Sequence, residues 1–169
     1  MRYHDNQRKA EYSNCYAKSA RSTLLSATLH LRDMKEATTL FQWKVAYKAA
    51  IISCRSALHI FHKKDAPRSI YLEKALEKRF LIWKKSEGVA HPFQLLEAER
   101  NSLLKEGQSI WPLECINQFD KEPRFLLGDR FITGSDAVSD ILSWIMTEIE
   151  TIEDAAFGCK KEQKITSSK

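Results

Sequence analysis

A chain of 169 residues with 43% apolar and 29% charged content suits one domain with one sizeable core. Its 5 Gly and 4 Pro are too few for the frequent tight turns of a sandwich or barrel, so the fold class expected is all-α. The net charge of +5 and pI near 9.0 are mildly basic, which alone is weak evidence for a nucleic-acid partner.

Residues 1–18 are polar and charged with scattered Tyr3, Tyr12 and Tyr16, and read as an arm or an extension of the first helix. They lack the apolar stretch of a signal peptide. Elsewhere the best apolar run, Ala49-Ala50-Ile51-Ile52, falls far short of a membrane span. Cys15, Cys54, Cys115 and Cys159 are widely spread with no CxxC or Cys/His cluster, so neither a disulfide framework nor a zinc site is indicated. A cytoplasmic protein with reduced thiols, no cofactor and no metal is the expectation.

The bundle proper is expected over residues 19–157, as about five up-and-down helices with a long irregular connection before the last. The first helix spans about Ser19 to Glu36, with Leu24, Thr28 and Leu31 facing the core. The second, about Thr39 to Lys63, carries one stripe of Leu40, Trp43, Tyr47, Ala50, Ile51, Cys54, Leu58 and Phe61 at three- and four-residue steps. Phe41, Val45, Ala49 and Ile52 form a second stripe beside it. A helix apolar over so much of its circumference is expected at the bundle's centre. Thr39 is its natural N-cap, and Pro67 bars an uninterrupted continuation.

The third helix, about Ser69 to Ser86, sets Leu72, Leu76, Phe80 and Trp83 on one face and lysines on the other. The fourth begins near Pro92 and stops at Gly107. Residues 108–134 then hold Pro112, Pro123, Gly128 and Gly134, and suit an irregular connection with a short hairpin about Gly128-Asp129. The last helix starts with Ser135 as its cap and Asp136 at its positive end. Its apolar face is Val138, Ile141, Leu142, Ile145, Ile149 and Ile152. Beyond Gly158, residues 158–169 read as a basic, disordered tail.

Charge is unevenly spread. Residues 63–85 hold eight basic side chains against three acidic ones, whereas 135–157 hold six acidic side chains and no Lys or Arg. The third and last helices therefore either lie side by side, or the third faces an anionic partner.

No phosphate-binding glycine loop, zincin helix or nucleophile elbow occurs, and no catalytic constellation is complete. His59 and His62 have the i,i+3 spacing of a metal pair, although a solvated helix end reads the same way. Arg100 stands four residues after Leu96 and three before Leu103, beside an apolar face. A charge there requires a partner, an interface, or a stem that packs while its head reaches water.

Arg100-Asn101-Ser102-Leu103-Leu104-Lys105-Glu106 resembles the Arg-Asn…His-Glu signature of HEPN-family helical bundles, with Lys105 at the histidine position. Upstream, Phe41-Gln42-Trp43-Lys44-Val45-Ala46-Tyr47-Lys48-Ala49-Ala50 and Cys54-Arg55-Ser56-Ala57-Leu58 are similar to the long small-residue-rich helix of such proteins. Helix order agrees over about residues 20 to 155. The resemblance implies a homodimer whose paired motif helices line a cleft for RNA or a nucleotide, in a setting of bacterial stress response or phage defence. It makes Arg100, Asn101 and Lys105 candidate anion-binding residues. A lysine in water is protonated at neutral pH, so the substitution implies weak or absent ribonuclease activity and leaves any catalytic residue unknown. A further reading is an active ribonuclease in which Lys105, or a histidine such as His91, substitutes for the missing one. A helical protein-interaction module without a nucleic-acid role is the alternative.

Overall fold

Helix α1 (Lys18–Glu36) begins without a capping side chain of its own. The computed structural model, which describes residues 17–86, 91–105, 122–127 and 130–166, shows what replaces it. The Ala17 N–H donates to Glu153 Oε1 at 3.1 Å, and the Ala20 N–H donates to Asp65 Oδ2 at 2.8 Å. Both carboxylates are buried, and each meets the positive end of a helix whose first N–H groups lack intrahelical acceptors. Residues 1–16, the expected arm, lie outside the described residues.

Helix α2 (Leu40–Ile60) opens on a complete capping box. The Gln42 N–H donates to Thr39 Oγ1, and Gln42 Oε1 accepts from the Thr39 N–H, both at 3.2 Å. At its far end the chain widens into a π-turn (Phe61–Asp65) and then a 3-10 turn (Ala66–Arg68) containing Pro67. Phe61 and Asp65, four residues apart, both turn inward. This bend delivers Asp65 to the start of α1.

Helix α3 (Ile70–Lys85) follows Ser69, and α4 (Pro92–Lys105) has its start tied to the end of α3, where Gln94 Nε2 donates to the Trp83 carbonyl at 3.1 Å. Strands β1 (Arg124–Leu127) and β2 (Arg130–Thr133) pair antiparallel, with Leu127 opposite Arg130, as a hairpin of these two segments requires; the predicted turn residues, 128–129, lie outside the described residues. Residues 108–121 of the predicted irregular connection lie outside the described residues. Helix α5 (Gly134–Thr166) completes the bundle.

The all-α bundle of five helices is as the sequence predicts, with the hairpin its only strands among the described residues. Its core is built from Trp43, Tyr47, Ile51 and Cys54 of α2, Leu72, Leu76 and Trp83 of α3, and Val138, Ile141, Ile145, Ile149 and Ile152 of α5. Burying each large apolar side chain contributes about 1.5–3 kcal/mol, which is why these stripes fix which faces meet.

Three local expectations are corrected. On α1, Thr28 is exposed and returns its hydroxyl to the Leu24 carbonyl, while Ala20, Leu24, Ala27 and Met34 face the core. Small residues let α1 approach α2 closely, and a pattern search for large apolar side chains passes over them. On α5, the cap is Thr133, whose Oγ1 accepts from the Asp136 N–H at 3.1 Å. Ser135 lies inside the helix and donates instead to Glu122, whose carboxylate also accepts from Trp43 Nε1 at 3.4 Å. Finally, α5 passes through Gly158 to Thr166, where composition suggests a disordered tail. A lone glycine costs a helix about 1 kcal/mol, and the Lys, Glu and Gln residues after it are good helix formers.

Helices α3 and α5 lie side by side, so the charge asymmetry is matched within one chain. Arg79 Nε donates to Glu148 Oε2 at 2.7 Å, and Arg79 Nη2 to Glu148 Oε1 at 2.5 Å. This hydrogen bond, with the carboxylate's charge, raises the Arg79 pKa above its ordinary value against the opposing effect of burial. No helix among the described residues is long and apolar enough to cross a membrane.

Candidate functional site

Arg100 and the outward face of α2 meet in one groove. A cavity of about 400 Å³ is lined by Ile52, Arg55, Ser56, His59 and Ile60 of α2 and by Arg100 of α4. Arg55 and His59 are one helical turn apart, on the side of α2 away from its buried stripe. Across the groove, Leu96 and Glu99 of α4 are fully buried, which turns Arg100 to the groove's edge with its side chain half-buried.

Two further contacts hold the cations in place. Arg55 Nε is paired with Glu97 Oε1, an ion pair that bridges α2 and α4. Glu97 precedes Arg100 by three residues, so both stand on one side of α4. The Arg100 guanidinium donates through Nη1 to Asn101 Oδ1 at 3.0 Å. Arg55 has spent its Nε, and Arg100 one Nη. The remaining N–H groups of two guanidinium forks are available to an acceptor.

Of the three residues predicted for the site, the structure brings Arg100 and Asn101 together. Lys105 is exposed at the last position of α4, about 140° around the helix from Arg100, and does not line the groove. Position 106 lies outside the described residues. Arg55 and His59 are the residues that motif reasoning overlooked as a pair. The signal was present in their i,i+4 spacing on the less apolar side of the second helix, but it needs α4 alongside to become a site.

The other histidines have different surroundings. His62 stacks on Phe80 with ring centroids 6.0 Å apart, so it and His59 serve different neighbours. Burial, with the positive charge of Lys63 and His59, lowers the His62 pKa, against the pull of Glu73 and Glu77. His91 caps α4, its Nδ1 accepting from the Phe93 N–H at 3.2 Å, and its ring meets Trp144 edge-on. It belongs to an aromatic cluster with Phe80, Trp83, Phe93 and Trp144, away from the groove lining. Among the described residues, no group of three or more His, Cys, Asp or Glu is placed to hold a metal ion.

The face of α2 that leads into the groove is unusual for a central helix. Phe41, Val45 and Ile52, the predicted second stripe, are 75%, 53% and 47% exposed. Lys44 and Lys48 lie among them, within the same 120° sector as Arg55 and His59 by helical geometry. This mixed apolar and basic strip runs from residue 41 to residue 59, about 27 Å at 1.5 Å per residue. A larger cavity of about 670 Å³, between α1 and α5, is walled by Leu24, Leu25, Leu142 and Met146 and contains none of the predicted site residues.

The chain matches no family model, no curated protein and no solved structure.

Proposed function

We propose that this protein is a HEPN-like helical bundle that binds RNA or a nucleotide through the α2–α4 groove, with little or no ribonuclease activity. The observation that supports it is the convergence of Arg55, His59 and Arg100, from two helices, on one groove at the end of a basic and aromatic strip. Arginine forks suit phosphate oxygens, and exposed aromatic and aliphatic side chains suit bases and sugars. Position 105 carries lysine where the motif has histidine, and Lys105 stands on another side of α4, so binding rather than cleavage is the reading. A homodimer is part of it, with the motif helices α4 of two protomers paired so that two grooves stand close together.

The test is RNA binding across a salt series. Each phosphate neutralised releases condensed counterions, so affinity should fall steeply with salt, with a log–log slope of roughly −0.7 per contact for single strands. Replacing Arg55 and Arg100 by Ala should flatten the slope and leave the helical spectrum unchanged. An unaltered slope would remove the reading.

The alternative, a protein-interaction module, is favoured by one observation, the exposure of Phe41, Val45 and Ile52. It predicts no RNA binding at low salt, together with an assembly that Phe41→Asp abolishes in sedimentation.

A further inference from the structure

Outside the groove, cations on the α2 strip are spaced a turn apart, at Lys44 and Lys48, with Phe41 and Val45 beside them. Inside it, three groups able to carry positive charge share about 400 Å³, and one carboxylate, Glu97, stands behind them. Arg55, Arg100 and Glu97 sum to +1, and the His59 imidazole adds a further hydrogen-bonding group to the same lining. An internal phosphodiester carries one negative charge and two free oxygens. A phosphomonoester carries roughly −1.5 to −2 at neutral pH and offers three acceptor oxygens.

The chemistry of the walls suits the larger charge and the third oxygen of the monoester. Glu97 and Asn101 each engage one N–H of a guanidinium, which restrains both arginines before a ligand arrives. Their unspent N–H groups are enough to reach all three oxygens of a monoester. Ser56 adds a hydroxyl to the same lining, while Ile52 and Ile60 supply apolar surface for a ribose or base.

Building on the anion-binding reading above, we infer that the groove takes a nucleoside phosphomonoester, either the phosphorylated end of an RNA or a free mononucleotide, in preference to an internal phosphodiester. Three nitrogen-bearing side chains, Arg55, His59 and Arg100, line the groove, one for each free oxygen of a monoester. The selectivity is for the phosphate's ionisation and oxygen count, so it is independent of base identity to first order.

The experiment is fluorescence anisotropy on one short RNA prepared with a 5′-phosphate, with a 3′-phosphate and with both ends as hydroxyls. AMP and adenosine serve as competitors. A phosphorylated end should bind about tenfold more tightly than the hydroxyl form, the size of one added charge-assisted hydrogen bond. AMP should compete and adenosine should not. Competition by AMP without an RNA end effect supports the same chemistry, with the free nucleotide as its source. Arg100→Ala, which breaks no ion pair between helices, should remove the discrimination, and His59→Ala should reduce it. Equal binding of all three RNAs, lost in Arg100→Ala and not competed by AMP, would overturn this inference while leaving the groove as an RNA site. Binding indifferent to Arg55 and Arg100 would overturn both.

Discussion

The carboxylate of Asp65 sits at the start of α1, 2.8 Å from the Ala20 N–H and 45 residues away in sequence. Side-chain caps are usually local, whereas here the cap comes from the bend that ends α2. Asp65 is fully buried, with Arg68 Nη1 3.8 Å from Oδ1. Replacing Asp65 by Ala should therefore destabilise the fold by about 1–3 kcal/mol, since a buried donor is orphaned and a helix-end charge is lost. Thr39→Ala, at the exposed capping box of α2, should cost about 1 kcal/mol. Urea denaturation of both variants ranks them; a milder effect at Asp65 would show that the bend does not secure α1.

A second prediction concerns the link between the basic and acidic helices. Glu148 is buried, and Arg79 grips it with two nitrogens. Arg79→Met keeps the stem but abandons a buried carboxylate, and should cost about 2–4 kcal/mol. The paired change Arg79→Met with Glu148→Gln should recover part of that loss, because the abandoned charge is gone. Thermal melting of the three variants measures the coupling.

Much of this arrangement is visible in the sequence where periodicity carries it. The α5 face from Val138 to Ile152 is buried as its spacing predicts, and so are Leu72, Leu76 and Trp83 of α3, with Phe80 half-buried beside them. The Thr39 cap and the pairing of the two hairpin segments are also as the sequence predicts. What composition and spacing do not carry is contact between distant segments. The capping of α1 by Asp65 and Glu153 is invisible because those acids lie 45 and 136 residues from their partners. The groove was half legible: Arg100 stands out as a charge beside an apolar face, but Arg55 and His59 join it only once α2 and α4 pack.

Cys54 tests burial directly. It is fully buried in α2, and burial pushes its thiol up to about 12. Because the thiolate is the nucleophile, Cys54 should resist maleimide in the native protein at mildly alkaline pH and react once unfolded. Peptide mapping by mass spectrometry after pulse labelling reads this site by itself. Rapid native labelling would mean that α2 opens readily.

His62 should lose its proton at lower pH than an ordinary histidine, since burial and the neighbouring positive charges of Lys63 and His59 depress its pKa. The unfolded chain then binds more protons than the folded chain between the depressed value and the ordinary value of about 6.5. Stability at this site is accordingly complete above that window and falls as the pH drops through it. His62→Gln should flatten the acid limb of melting temperature against pH, and an imidazole NMR titration should place the midpoint below that of a model histidine. A midpoint above it would mean that Glu73 and Glu77 dominate.

Glu97 makes the sharpest test of the groove. Its carboxylate neutralises Arg55 and lies on the same side of α4 as Arg100, so any incoming phosphate is repelled by it while using the cations it steadies. Glu97→Gln removes the repulsion and retains a hydrogen-bond acceptor for Arg55. The pair is half-exposed, so its loss should cost at most about 1 kcal/mol of stability. RNA affinity should rise by roughly threefold to tenfold at low salt, and the gain should shrink as added salt screens the charge. A gain that persists undiminished at high salt would mean that Glu97 blocks the groove sterically. A loss of affinity would mean that its charge is needed to position Arg55, so the ion pair belongs to the binding geometry and does not compete with the ligand.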